Sequence, residues 1–235
     1  GGNFNVTVGD EAGTALTTGD GNVAVGFEAL ATEDADGSNT AIGYRALKVL
    51  NAGAEGYNVA VGTDAGLSMT LGIQNTLVGN KAGDALTDAD FNVAVGRSSL
   101  TSDTLGSKST AVGHGTLNTQ NFTSATDSFN TAVGYQAGAA VTTGASNTFV
   151  GALAGDANTT GYENTAVGEG SLSACTEGFE NTAIGHNSGA AITTGDNNTF
   201  VGNAAGQANT TANGNTAVGN AALASNTTGT NNVAV

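Results

Sequence analysis

The sequence predicts an all-β protein, a parallel β-solenoid in which each coil is one repeat of about 17 residues. A segment like that at 22–26 (NVAVG) recurs fourteen times in 235 residues, and eleven of the thirteen intervals between copies are 17 residues, the others being 19 and 21. β-Branched residues two apart, followed by glycine, are typical of a short strand that ends in a turn. The 37 glycines disfavour helices, and the absence of proline keeps every backbone N–H available for a ladder. We therefore expect one array of about fourteen coils over residues 1–235.

Each coil is described by positions counted from the first residue of its copy, which is position 0. In a stack of coils, residues at the same position form a column. Position 0 is asparagine in every copy except the one that begins at Ser109. We expect each side-chain amide in this column to hydrogen-bond to the amides above and below it. The predicted asparagine ladder includes Asn22, Asn39, Asn58 and Asn75.

Two further columns complete the predicted strand. Valine or isoleucine at position 3 is expected to form the inner core seam. Glycine at position 4 indicates a positive φ, or a close backbone approach at which a Cβ would clash. These columns include Val25, Ile42 and Val61 at position 3 and Gly26, Gly43 and Gly62 at position 4. A second glycine near position 14 predicts a second turn, and so two strands of about five residues in each coil.

Large and small residues exchange between positions 2 and 8, which indicates that neighbouring coils touch. Position 2 is alanine or threonine in most copies, but it is Leu77, Phe149 or Phe200 in three of them. In those three coils, and in the coil before each, position 8 is glycine, whereas the other complete coils after the first carry leucine there. A close-packed interior requires such a volume exchange. Duplication of a two-coil cassette is the alternative explanation.

Composition argues against several classes of function. Five Lys+Arg against 20 Asp+Glu give a formal net charge of −15, so nucleic acid and anionic lipid are poor partners. No apolar run reaches the roughly 20 residues of a membrane-spanning helix. The single cysteine, Cys175, cannot form an internal disulfide or a thiolate metal site. No acid, base or nucleophile recurs or clusters as catalysis requires, so we expect no enzyme, no cofactor and no metal.

Histidines and carboxylates in the turns are predicted to lie on the surface. His114 and His186 both occupy position 5, four coils apart, which is too far for one metal or catalytic pair within a chain. Acidic groups at 33–36 and 84–90 leave a calcium site as the alternative to solvated turn carboxylates. However, neither a calcium-binding nonapeptide nor an EF-hand loop occurs.

The two long repeats predict loops on one face of the solenoid. Their extra residues fall within 48–57 and 119–129, which carry Tyr57, Phe122 and Phe129. Exposed aromatic residues beside irregular backbone are candidate contacts for a cell-surface receptor or a glycan. The alternative is a tolerated insertion whose aromatic side chains fold back over the coil.

The segments 130–138 (NTAVGYQAG) and 215–223 (NTAVGNAAL) resemble the head repeats of YadA-type trimeric autotransporter adhesins. They are still more similar to the NTAVGYxAL–TTG arrays of phage and marine bacterial tail-fibre proteins. The resemblance covers essentially the whole chain. It implies a left-handed β-roll, a homotrimer around one axis, and an extracellular role in attachment or as a fibre shaft. The adhesin repeat is nearer 14 residues, and the chain begins and ends inside the pattern, as expected of a segment of a longer fibre.

We therefore expect a non-enzymatic fibre or adhesin segment whose main partner is itself. Burial against two other copies would compensate for the few apolar side chains of each coil, and small residues at positions 2 and 7 would permit close approach. An end-to-end filament without a receptor of its own is the alternative. A third hypothesis, ice binding by threonine ladders, needs outward threonines, and the mixture of threonine and valine at position 1 predicts an inward or semi-buried column instead.

Overall fold

The computed structural model describes residues 2–35, 37–53 and 55–235, and it confirms the predicted fold class. The described residues are all-β, with sixteen short strands and no helix, and they form a parallel β-solenoid of about thirteen coils with a 17-residue repeat. The chain divides into two compact units. The first comprises Gly1–His114 and Asn121–Asp127, and the second comprises Gly115–Gln120 and Ser128–Val235.

Each strand is two or three residues long and occupies positions 1 to 3 of a coil, apart from one extra pair. The first unit contains β1 (Val6–Val8), β2 (Val23–Val25), β3 (Thr40–Ile42), β4 (Val59–Val61), β5 (Thr76–Val78), β6 (Val93–Val95), β7 (Gly106–Ser107), β8 (Thr110–Val112) and β9 (Thr126–Asp127). The second contains β10 (Thr131–Val133), β11 (Thr148–Val150), β12 (Thr165–Val167), β13 (Thr182–Ile184), β14 (Thr199–Val201), β15 (Thr216–Val218) and β16 (Val233–Ala234). Within each unit, strands at positions 1 to 3 of neighbouring coils pair in parallel and in repeat register, so Val25 lies opposite Ile42, and Ile42 opposite Val61. The extra strands β7 and β9 pair with each other.

The prediction of two five-residue strands in each coil is wrong. Apart from the β7–β9 pair, the described coils have one strand each. The reason is the backbone outside the strand, which enters the left-handed region at positions 6, 8 and 16. In the second coil these residues are Glu28, Leu30 and Ser38, with φ of 52°, 51° and 62°. A left-handed residue bends the chain, so no extended segment can run through these positions.

The asparagine ladder joins each coil both to itself and to the next coil. Oδ1 of Asn75 accepts a hydrogen bond from the backbone N–H of Asn92 at 2.9 Å. Its Nδ2 donates to the carbonyl of Ala89, near the end of its own coil, at 2.8 Å. The predicted amide–amide contact is also present, since this Nδ2 lies 3.2 Å from Oδ1 of Asn58. In the second unit the two backbone bonds are repeated by Asn147, Asn164 and Asn181.

The ladder includes all four asparagines predicted to form it. The N–H of Asn39 donates to Oδ1 of Asn22, that of Asn58 to Asn39, and that of Asn75 to Asn58, at 2.9, 3.1 and 2.9 Å. All four side chains are fully buried. A buried backbone group needs a partner, and here a side chain supplies it at the point where the strand begins.

Glycine at position 4 meets both expectations for that column. Gly26 has a φ of +132°, and a Cβ built on it would lie 2.4 Å from the carbonyl oxygen of Gly43. Gly43 and Gly62 repeat this geometry, with φ of +137° and +140°. The contact joins backbone to backbone, so no side-chain movement can relieve it. Glycine therefore permits neighbouring coils to approach at this corner.

Position 3 is not the inner core seam that the sequence predicts. Side chains alternate along a strand, and here positions 0 and 2 point inward while positions 1 and 3 point outward. The alanines at position 2 are fully buried. Ile42 is 38% exposed, and Val25 and Val61 are half-buried on the outer face. The inward place on the strand is position 2, and position 8 of the same coil faces it. The space between them admits alanine, and the branched residues therefore stand on the outward side at position 3.

The predicted volume exchange in the core is confirmed. Leu77, Phe149 and Phe200 are fully buried. A Cβ on Gly138 or Gly155 would lie 2.8 or 2.5 Å from the ring of Phe149. The glycines around Leu77 and Phe200 leave equally little room. A Cβ on the glycine of the preceding coil would lie 2.9 to 3.1 Å from these side chains, and a Cβ on the glycine of the same coil would lie 2.5 to 2.9 Å from them. A large residue at position 2 thus occupies the space that leucines fill elsewhere.

A second core column lies at position 11, and the sequence does not reveal it. Leu50, Met69 and Leu86 are fully buried there, but so are polar residues such as Asp103. Oδ1 of Asp103 accepts hydrogen bonds from the N–H groups of Gly106 and Phe122, at 3.1 and 3.0 Å. This carboxylate therefore ties the inserted segment 121–127 to the coil before it.

Phe149→Ala should destabilise the protein by about 3–5 kcal/mol, because the flanking glycines cannot fill the cavity. Adding Gly138→Leu and Gly155→Leu should recover most of the loss, since Leu30 and Leu47 flank Ala41 in this way and already adopt φ of 51° and 48°. Urea unfolding followed by circular dichroism measures both changes. A triple variant no more stable than Phe149→Ala would contradict this packing.

Asn181→Ala should cost roughly 2–4 kcal/mol, because it leaves the N–H of Asn198 and the carbonyl of Gly195 buried without partners. Asn220→Ala serves as the control, since Asn220 is exposed. The free energy of unfolding in urea is the measurement. Equal losses for the two variants would show that the ladder adds nothing to stability.

Candidate functional site

The outward side of the strands forms a regular surface on each unit. Positions 1 and 3 project from it and carry only valine, isoleucine and threonine, and no charged residue occurs at positions 0 to 4 in any copy. Most of these side chains are half-buried, and several, such as Val133, Ile184 and Val218, are 36 to 40% exposed. On a chain of net charge −15, this strand face is an uncharged, β-branched surface with no partner among the described residues.

In the second unit the strand face has a regular pattern of hydroxyl and methyl groups. Six consecutive strands, β10 to β15, carry threonine at position 1 and valine or isoleucine at position 3, in register. None of these six hydroxyls makes a hydrogen bond to another described residue. This column therefore faces outward and not inward, but it is semi-buried, as the sequence also allows: five of the six threonines are half-buried and Thr199 is exposed. The first unit mixes valine and threonine at position 1.

Of the three aromatic residues predicted as contacts, two are exposed and one is buried. Phe122 is only 7% exposed, so it folds back into the protein and is not a surface contact. Its backbone bonds to Asp103 and Leu105 hold it there. Tyr57 and Phe129 are each 55% exposed, as expected. Both directly precede the first residue of the next copy; this place is position 16 in a 17-residue coil, and we keep that name for it in the two longer coils. It is a regular place in the coil and not an inserted one, and the two residues have φ of 49° and 50°.

The exposed aromatic residues fall into two kinds. Some stack on the equivalent ring of the next coil: Phe27 on Tyr44, with centroids 5.3 Å apart, and Tyr162 on Phe179, at 4.9 Å. Tyr57 and Phe91 do not stack on each other, because Gln74 occupies the same position in the coil between them. Phe91 was not predicted as a contact from the sequence. Its position in the column, two repeats after Tyr57 once the 17-residue period is applied, was the available signal.

The histidines and carboxylates of the described residues form no group of three or more that could hold a metal ion. His114 and His186 are exposed and lie in different units. The rings contact neighbouring polar groups: Nε2 of His114 lies 3.3 Å from Arg97, and Nδ1 of His186 lies 3.1 Å from the amide of Asn203. Of the acidic group at 33–36, Glu33 is buried, Asp34 is exposed, and Asp36 lies outside the described residues.

Burial shifts the pKa of three titratable groups that take part in no site: the buried Cys175 and the half-buried Asp84 and Asp156. Burial raises the pKa of the Cys175 thiol to about 11, and its Sγ contacts the carbonyl of Gly178 at 3.6 Å. The thiol is thus neutral and enclosed, as suits a core residue and not a nucleophile. Burial also raises the pKa of Asp156, whose Oδ1 is enclosed without a hydrogen-bond partner. No cavity opens among the described residues.

Comparison with known proteins identifies no relative. The chain matches none of the known protein-family models, and no curated protein is significantly similar to it. The likeness of its repeats to adhesin and tail-fibre arrays therefore stays a prediction. The described residues include no helix long and apolar enough to cross a membrane.

Asp156→Ser should raise the melting temperature at pH 7, with serine chosen because Ser173 occupies the same position in the next coil. The raised pKa means that the folded state resists ionisation of Asp156. The contribution of the protonated Asp156 to the free energy of unfolding is complete below the unfolded pKa of 3.8, and it is lost as the pH rises through the folded pKa. The gain should therefore vanish near pH 3.

Asp88→Ser is the matched control, because it removes the same charge from an exposed site. Thermal unfolding of both variants at the two pH values separates local desolvation from the general effect of net charge. An equal gain for both variants at pH 7 would assign the effect to net charge alone.

Proposed function

We propose that the protein is a structural segment of an extracellular fibre or virion tail fibre, without catalytic activity, that assembles as a homotrimer and supports attachment. The observation that carries this proposal is the uncharged strand face. Each copy presents columns of half-exposed valine, isoleucine and threonine, whereas its charged residues lie in the turns. Removing such a surface from water is favourable in proportion to its apolar area.

Electrostatics supports assembly through this face in preference to any other. Two copies that each carry a net charge of −15 repel each other. Contact between uncharged strands keeps the carboxylates of the turns at the rim, where water screens them. Positions 2 and 7, expected from the sequence to permit close approach, cannot serve, because residues such as Ala24 and Ala29 are fully buried inside their own coil.

The thin interior of each coil gives a second reason for assembly. Most coils fill position 2 with alanine, so the chain buries few large side chains of its own. Ordering each residue costs on the order of 1.5 kcal/mol. Burial of a second apolar face against other copies offsets part of that cost. A stiff, repetitive shaft that displays turns along its length suits attachment, with the receptor read by residues outside the strand face.

Ice binding is the second candidate function, and the outward threonine column of β10 to β15 favours it. This surface pairs free hydroxyls with methyl groups at regular intervals of about 4.8 Å between coils. It uses the same face as assembly, so the two functions exclude each other there. A monomer that produces thermal hysteresis would favour ice binding over the fibre.

Val150→Lys with Ile184→Lys should convert the trimer into folded monomers, because both side chains lie on the strand face. Sedimentation velocity measures the oligomeric state, and circular dichroism checks the fold. Thr160→Lys with Thr194→Lys is the control: it adds the same charges to the same two coils, at exposed positions of another surface, and should stay trimeric.

Sedimentation of the unaltered chain tests the proposal itself. A folded monomer at micromolar concentration would overturn trimerisation. Filaments that lengthen with concentration would instead support the alternative of an end-to-end scaffold.

A further inference from the structure

We propose that Tyr57, Gln74 and Phe91 form a binding strip for a neutral, extended β-1,4-linked glycan. This inference rests on the proposed role in attachment and names a ligand for it. The three residues occupy position 16 of consecutive coils in the first unit. Their backbones are connected from coil to coil, since Gln74 N–H donates to the carbonyl of Gly56 and Phe91 N–H to that of Ile73, at 2.7 and 3.1 Å. We call these three residues the aromatic strip.

The rings of the aromatic strip are available to a ligand. Tyr57 is 55% exposed, Phe91 is 45% exposed, and Gln74 between them is also exposed. Neither ring stacks on another ring, and the Gln74 amide makes no hydrogen bond to a described residue. The other aromatic pairs differ, because Tyr162 and Phe179 each use one ring face on the other.

The backbone of the aromatic strip has a left-handed conformation, in which tyrosine and phenylalanine are unusual. Tyr57 and Phe91 have φ of 49° and 61°. Left-handed conformation is uncommon for any residue with a Cβ, and for a bulky one it is an outlier that stability alone does not favour. At the same position other coils use residues that tolerate this conformation better, such as Gly21 and Asn197. Aromatic residues are thus placed here at a conformational cost, and no ring stacking or side-chain hydrogen bond with another described residue offsets it.

The chemistry of the aromatic strip fits a sugar chain. The C–H face of a pyranose packs on an aromatic ring, and an amide bonds to sugar hydroxyls as donor and acceptor. An extended β-1,4-linked chain turns the same ring face to one side at every second sugar. The aromatic strip has the matching order of ring, amide and ring over two coil spacings, about 10 Å. The net charge of −15 selects against anionic polysaccharides.

Calorimetric titration of the full chain with cellohexaose tests this inference. The unaltered protein should bind, and Tyr57→Asn with Phe91→Asn should weaken binding by about tenfold or more, as loss of two ring contacts predicts. Asparagine keeps the fold, since Asn197 and Asn231 occupy this position with φ of 60° and 56°. The anionic chain of carboxymethylcellulose should bind more weakly than neutral hydroxyethylcellulose in affinity electrophoresis.

Tyr162→Asn with Phe179→Asn is the matched control, because it removes the same two residue types from another column; it should bind as the unaltered protein does. No binding of cellohexaose by the unaltered protein, or equal binding by the Tyr57 and Phe91 variant, would overturn the inference. Sedimentation of the same samples separates the two proposals. A trimer that does not bind refutes only the aromatic strip, and a monomer that binds refutes only the trimer.

Discussion

The solenoid depends on a buried amide at the start of nearly every coil; the coil that begins at Ser109 has none there. The Nδ2 of this amide closes the coil by donating to a carbonyl at position 14, and its Oδ1 accepts the first N–H of the next coil, as Asn181 does with Gly195 and Asn198. Both backbone groups lie where water cannot reach them, so no apolar residue of similar size can replace the amide. The same bond fixes the length of the coil. In the 19-residue coil, where position 14 is displaced, the amide of Asn39 donates to Gly37 instead.

A coil closed this tightly has a narrow interior, and most of the remaining packing follows from that fact. Only alanine fits at position 2 unless glycine replaces leucine at position 8 on both sides, as around Phe149. Larger apolar residues are then displaced outward, and the strand face becomes the largest apolar surface. The chain therefore has a core that is well packed but thin, and a second surface with core-like composition outside it. The width of one coil therefore determines both how little the core can hold and how much apolar surface is left for assembly.

The two functional proposals use different parts of the repeat. Assembly uses what every coil shares, an uncharged strand face that repeats without interruption. Glycan binding uses what differs between coils, since Tyr57 and Phe91 stand at position 16, where most other coils carry glycine or a polar residue. Regular positions can build only a uniform surface, because neighbouring coils repeat the same side chains. Recognition of a particular ligand needs departures from the period, and position 16 provides exposure for them without disturbing the ladder.

Local rules were enough to predict much of this protein. The period, the parallel stacking, the asparagine ladder, the glycine corner and the exchange around Leu77 were all predicted from sequence, because each depends on residues that repeat at fixed separation. The side of the sheet on which Val25 and Ile42 lie was not, since alternation gives two choices and only the width of the closed coil decides between them. Burial of Phe122 and the mixed apolar and polar core column at position 11 likewise depend on what faces them across the coil. The sequence by itself determined which residues stack, and the tertiary structure decided which of them point inward, because inward and outward are defined only when the coil closes.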